Sequence, residues 1–221
     1  MKTPCARTTD TWIFDLDNTL YSGTFGLFDQ IDHRMKAYLS TFLDVNEQEA
    51  YRVQKKYFRD YGTTLRGMMI NHAMDPGPYL DYVHDVDVSV IPKAPNLDAA
   101  LARLEGRKII FTNADLGHAE RVLNQLGVTD HFDAIFDIKD AHFVPKPEPE
   151  VYEQLIKRFN IDPKRAVMVE DIARNLEPAA QLGMATVWVQ SETDCLICKE
   201  QPDGDHVDYI TDDLVAWLSA L

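Results

Sequence analysis

Asp15 and Asp17 stand two residues apart in the run DLDNT, Glu170 and Asp171 are adjacent in VED, Thr112 and Asn113 are adjacent in FTN, and Lys146 precedes a proline. A carboxylate is ionised at neutral pH and can attack an electrophile, forming an acyl intermediate that water then hydrolyses. A second carboxylate beside it can give a proton to a leaving group and later take one from water. Amine, hydroxyl and amide groups supply the donors that hold developing negative charge. Gathered in one place, however, the four carboxylates repel one another, by roughly 4 kcal/mol for a pair about 4 Å apart at an effective dielectric near 20. Such a cluster needs a cation to stay ionised. Oxygen-only ligands completed by water suit octahedral Mg²⁺ better than zinc, which favours His and Cys, and Mg²⁺ with one lysine suits a phosphate dianion.

Whether these residues meet depends on the elements that carry them. Thr11 to Phe14 is a short apolar run of strand formers that stops at Asp15. From Ser22 to Ile91 apolar and aromatic residues recur at helical spacing, as in Ile31, Met35, Tyr38, Leu39 and Phe42. Gly23 and Gly26 precede this stretch and Pro92 and Pro95 follow it, so it reads as a helical insertion with breakers at both edges, a mobile cap.

Beyond it, helices and strands alternate. A helix through Leu97, Leu101 and Leu104 closes at Gly106, and KIIF runs as a strand into Thr112 and Asn113. A helix with Val122, Leu123 and Leu126 closes at Gly127, and a strand is expected over Ala134 to Ile138. A helix from Pro147 to Phe159, a strand Ala166 to Val169 leading into Glu170 and Asp171, a helix Arg174 to Leu182, a strand Thr186 to Val189 and a helix from Thr211 complete the series.

This alternation predicts an α/β fold: a doubly wound, mostly parallel, Rossmann-like sheet with helices on both faces. The expected division is a core of residues 1–21 and 92–221 with an inserted α-helical cap of residues 22–91. In such sheets ligands bind beyond the carboxyl ends of the strands, where Asp15, Asp17, Thr112, Asn113, Glu170 and Asp171 fall, with Lys146 on a loop.

Composition narrows the function class. The net charge of −14 repels nucleic-acid polymers and anionic membranes at long range, and no basic cluster offsets it. No apolar run is long enough to span a membrane, and MKTPCARTTD lacks the apolar stretch of a signal peptide, so the expected location is cytoplasmic. Cys195 and Cys198 form a lone CLIC pair with no second zinc-type pair, and with Cys5 they read as ordinary thiols in a reducing compartment.

DLDNT at 15–19, FTN at 111–113, KP at 146–147 and VED at 169–171 together resemble the four ordered motifs of the haloacid-dehalogenase superfamily, and they span nearly the whole chain. YGTTLRG, DYVHD followed by IP, and GRKIIFTNA further resemble the pyrimidine 5′-nucleotidase subgroup, which carries a helical cap after the first motif. The resemblance implies a Mg²⁺-dependent phosphomonoesterase acting on a small phosphorylated metabolite, with UMP and CMP leading. Asp15 would be the nucleophile and Asp17 the acid and then the base, its backbone carbonyl also binding metal. Lys146 and Thr112 would hold the phosphoryl oxygens together with amides near Leu16, Asp17 and Asn113. Asp171 would complete the metal site, with Glu170 assisting.

Tyr61, Thr63, Thr64, Arg66 and His72 are the insertion residues expected to meet the leaving group, Arg66 first among them. Asp17 disfavours a dehalogenase, which needs no acid for its leaving group. A phosphatase of broad specificity toward phosphoglycolate, sugar phosphates or pyridoxal phosphate stays open, as do a phosphomutase and a catalytically silent nucleotide-binding module.

Overall fold

The computed structural model describes residues 9–190 and 205–221. Cys5, Cys195 and Cys198, and with them the CLIC pair, lie outside the described residues.

Six strands form one sheet: β1 (Thr11–Phe14), β2 (Arg107–Phe111), β3 (Ala134–Phe136), β4 (Ala166–Glu170), β5 (Ala185–Val189) and β6 (Tyr209–Thr211). Their order is β3-β2-β1-β4-β5-β6, and all five pairings are parallel. Phe14 pairs with Ile110 and Val169, so the ends of β1, β2 and β4 lie level and deliver Asp15, Thr112 and Glu170 to one edge. The central strands are buried on both faces, as a parallel sheet requires.

Four helices leave the core between β1 and β2: α1 (Leu27–Leu43), α2 (Glu47–Tyr61), α3 (Thr64–His72) and α4 (Pro76–Val83). Asn46, Thr63 and Asp75 each accept a backbone N–H of the helix that follows, which fixes three of the four starts. Leu39, Ala50, Tyr57, Leu65, Met68, Tyr79 and Leu80 form their shared core, joined by Ile138 from the loop after β3. Gly67 is obligatory there, because a Cβ would sit 2.4 Å from the Tyr57 ring.

The remaining helices flank the sheet: α5 (Pro95–Arg103), α6 (Leu116–Leu126), α7 (Pro149–Phe159), α8 (Glu177–Leu182) and α9 (Leu214–Ser219). One apolar cluster joins Trp12, Phe14, Leu101, Val122 and Leu218 on one face of the sheet, and another joins Ile13, Phe111, Tyr152 and Leu176 on the other.

Several boundaries differ from the pattern-based ones. β3 stops at Phe136, because the Asp137 carboxylate accepts from the N–H groups of Leu116 and Asp140 and turns the chain. The helix expected from Arg174 is a 3-10 turn over Ala173–Leu176, and α8 begins only where Pro178 occupies its first turn. β6 is a three-residue edge strand, too short for the residue pattern to mark. The last helix starts at Leu214 rather than Thr211, since Asp213 caps it by accepting from Ala216 N–H.

Candidate active site

Lys146 organises the strand-end cluster. Its side chain is 1% exposed, and its ammonium donates to Asp15 Oδ1 at 2.6 Å, Glu170 Oε2 at 2.7 Å and the Phe111 carbonyl at 2.8 Å, which uses all three hydrogens. Asn113 explains how a loop residue is held so accurately. Its Oδ1 accepts from Lys146 N–H at 2.9 Å, and its Nδ2 donates to the Lys146 carbonyl at 3.4 Å. Gly62, between α2 and α3, presses on the same backbone with φ +80°, and a Cβ there would lie 2.7 Å from the Lys146 carbonyl oxygen.

The DLDNT run curls after β1, with the N–H groups of Thr19 and Leu20 both donating to the Leu16 carbonyl. Residues four apart therefore share a face. Thr19 Oγ1 donates to Asp15 Oδ2 at 3.1 Å, and Tyr21 Oη donates to Asp17 Oδ1 at 2.6 Å. Among the described residues the N–H groups of Leu16, Asp17 and Asn113 meet no acceptor. Thr112 Oγ1 accepts from Ala114 N–H, which leaves its own hydrogen to donate.

Asp15, Glu170 and Asp171 each offer an oxygen within 4.8 Å of the other two. Burial, followed by the Glu170 charge, pushes the Asp15 carboxyl up to about 7 even against Lys146. Burial, then Glu170 and Asp15, pushes Asp171 well above its ordinary value. One lysine thus leaves the cluster short of positive charge, and a hard divalent cation fits the deficit, the oxygen-only donors and the spacing. The Asp17 carboxylate stands apart from these three, bonded to Tyr21 and lying 2.9 Å from His118 Nε2. Burial raises Asp17, but the charge and hydrogen bond of His118 with the Tyr21 bond outweigh it and hold the group below its ordinary value.

A cavity of about 680 Å³ opens above this floor. Asp15, Asp17, Thr112, Asn113, Lys146, Glu170 and Asp171 line one end, and Thr63 and Thr64 join Phe28, Met35, Phe58 and Tyr79 from the insertion. Other expected residues of the insertion lie elsewhere. Arg66 and Tyr61 are outside the lining, Tyr61 packing against Tyr57 and reaching Asn71 at 3.4 Å. His72 bonds the Tyr57 hydroxyl at 2.8 Å, inside the helical unit. Thr64 Oγ1 donates to the Gln54 carbonyl. Pattern reading overlooked Thr19, Tyr21, His84 and His118. Thr19 and Tyr21 have i+4 spacing from Asp15 and Asp17 and His84 sits in DYVHD, whereas His118 is distant in sequence from Asp17 and no pattern marks it.

A parallel sheet with acid-rich strand ends beneath a helical insertion defines an α/β fold with a ligand crevice at the carboxyl ends of its strands. Residues 9–183 match the haloacid dehalogenase-like hydrolase family, and the chain belongs to it. It is 24% identical to Phosphate metabolism protein 8 of Saccharomyces cerevisiae over 91% of this chain and 69% of that protein. It is 25% identical to a glyceraldehyde 3-phosphate phosphatase of Methanocaldococcus jannaschii, covering 91% of this chain and 92% of the relative. Among solved structures, CbbY from Rhodobacter sphaeroides in complex with phosphate superposes with a TM-score of 0.64 at 18% identity, over 96% of this chain and 99% of that one. Among the described residues no helix is long and apolar enough to cross a membrane.

Proposed function

We propose that this protein is a divalent-cation-dependent phosphomonoesterase that transfers a phosphoryl group to Asp15 and then to water, with pyrimidine nucleoside 5′-monophosphates such as UMP and CMP as its leading substrates. The observation that carries the reaction is the Lys146 ammonium set 2.6 Å from Asp15 and 2.7 Å from Glu170 at the closed end of the cavity. That geometry supports a buried nucleophile whose charge is balanced beside a site for phosphoryl oxygens. The relative named a glyceraldehyde 3-phosphate phosphatase supports phosphate ester chemistry.

Asp15 Oδ attacks phosphorus in line as the ester oxygen leaves, so one P–O bond forms and one breaks. Asp17 supplies the proton that the leaving alkoxide takes up, then removes one from the water that attacks the aspartyl phosphate. Thr112 and the free N–H groups of Leu16, Asp17 and Asn113 hold the equatorial oxygens. Asp15, Asp171 and the Asp17 backbone carbonyl would hold Mg²⁺, with Glu170 assisting. The ion would neutralise the crowded carboxylates and the phosphate.

The insertion acts as a cap whose wall of Phe28, Met35, Phe58 and Tyr79 suits a flat, partly apolar leaving group. The test is Mg²⁺-dependent phosphate release across UMP, CMP, AMP, GMP, phosphoglycolate, pyridoxal phosphate and sugar phosphates, with EDTA and Asp15→Asn as controls. A lead for UMP and CMP that both controls abolish is the expected result. A flat profile replaces it with a broad small-metabolite phosphatase, and turnover by Asp15→Asn at the wild-type rate sinks the mechanism.

A further inference from the structure

Asp17 reaches the cavity with one oxygen already committed. Tyr21 Oη donates to Oδ1 at 2.6 Å, and His118 Nε2 lies 2.9 Å from the same atom, whereas no hydrogen bond reaches Oδ2 among the described residues. With the acid proton on Oδ2, Oδ1 can only accept, so Nε2 carries the hydrogen in this contact. His118 is fully buried on α6, and its ring stacks on His84 with centroids 4.6 Å apart and planes 22° apart. His84 is not part of the sheet domain's helices. It ends α4 in the insertion, and its carbonyl accepts from Arg121 of α6.

Asp115 ties the two histidines to one anchor. Its Oδ1 caps α6 by accepting from His118 N–H at 2.9 Å and lies 3.3 Å from His84 Nδ1. A line of packed groups therefore runs from the insertion through His84 and His118 to the Asp17 carboxylate. An unrestrained aspartate rotates freely about its two side-chain torsions, whereas proton transfer needs the heavy atoms within about 2.6–3.2 Å.

We infer that Tyr21 and His118 are positioning residues that clamp Oδ1 of Asp17 so that Oδ2 meets the leaving-group oxygen, with His84 bracing the clamp from the insertion. This rests on Asp17 being the proton donor of the proposed reaction. The clamp acts only through Asp17, so its removal costs rate in proportion to how much the leaving group needs a proton. A misfolded site would slow every substrate alike.

The experiment compares single-turnover leaving-group release from an alkyl phosphate, UMP or else β-glycerophosphate, with release from p-nitrophenyl phosphate, whose phenolate departs without a proton. Tyr21→Phe removes one hydroxyl and keeps the ring in the core, so it tests the clamp even if a His118 variant fails to fold. Tyr21→Phe and His118→Phe should each lose about tenfold or more on the alkyl phosphate and less than about threefold on p-nitrophenyl phosphate. His118→Gln, which offers an N–H in nearly the same place, should recover most of the loss.

Equal losses on both substrates, or none on either, overturn the clamp. Asp17→Asn is the reference. If it discriminates between the substrates while Tyr21→Phe and His118→Phe do not, the clamp alone is wrong. If Asp17→Asn itself shows no discrimination, the acid assignment falls and the clamp falls with it.

Discussion

At the floor of the cavity charged groups are bonded to partners that arrive from four separate strands and loops, Lys146 alone joining Asp15, Glu170 and the end of β2. At the wall the polar groups bond within the insertion: Gln54 Nε2 donates to Asp32 at 2.9 Å, Lys55 reaches the same carboxylate at 2.5 Å, and Thr64 bonds the Gln54 backbone. The floor is a network of charged groups bonded across separate elements, while the wall mixes apolar side chains with polar ones such as Asp32 and Lys55 that pair inside the insertion. The first arrangement suits chemistry common to many substrates and the second suits shape selection among them.

The largest expected effect tests the floor. Lys146→Met leaves the Asp15 and Glu170 carboxylates buried without their shared cation. It should cost about 3–5 kcal/mol of stability together with essentially all turnover. Urea denaturation and phosphate release measure both, and a variant as stable as wild type would mean that the network is not a unit.

Gly62→Ala acts where wall and floor touch. With φ +80° and a Cβ 2.7 Å from the Lys146 carbonyl oxygen, it should cost about 1–3 kcal/mol and lower turnover, because the Lys146 backbone must move. A melting temperature within 1 °C of wild type, which corresponds to a few tenths of a kcal/mol for a chain of this size, would contradict the close approach.

Phe58→Ala opens the wall alone. It removes an apolar lining group and the ring beneath Arg174, and KM for the best substrate should rise roughly tenfold with a smaller change in kcat. A drop in kcat at unchanged KM would place Phe58 with the floor instead.

The smallest effect concerns the junction at Asp115. Burial raises this carboxyl, but the His84 contact and the His118 N–H outweigh it and hold it well below its ordinary range. Because the folded value lies below the unfolded one of about 3.9, the stabilisation is full at pH 7 and is lost as pH falls below that value. Asp115→Asn keeps a helix cap and loses the charge, so it should melt a few degrees lower at pH 7, with a gap that narrows in acid. A gap that widened in acid would reverse the sign of the argument.

The same contrast explains what could be read from residues alone. Strands such as Thr11–Phe14 and Ala166–Glu170 are short apolar runs ended by acids, and a parallel sheet forces their ends to one edge, so the floor was legible from motif order and topology. β6 was not, because Tyr209–Thr211 is a short edge segment stabilised by its neighbour rather than by its own pattern. Arg66 and Tyr61 looked suited to meeting a ligand by type, but which face of α2 or α3 lines the cavity is fixed by how the four helices pack. No local spacing records that packing. The pairing of His118 with Asp17 spans 101 residues and depends on the α6 cap for its direction.

Ile138 gives the insertion a consequence for protein engineering. This residue belongs by sequence to the loop after β3, yet it is buried in the hydrophobic cluster of the four helices, with Phe143 packed beside it. Residues 22–91 are consequently not a cassette. A chimera that exchanges only that segment would inherit a socket shaped for Ile138 and a foreign plug to fill it, so a transplantable unit has to carry residues 138–143 along with the helices they complete.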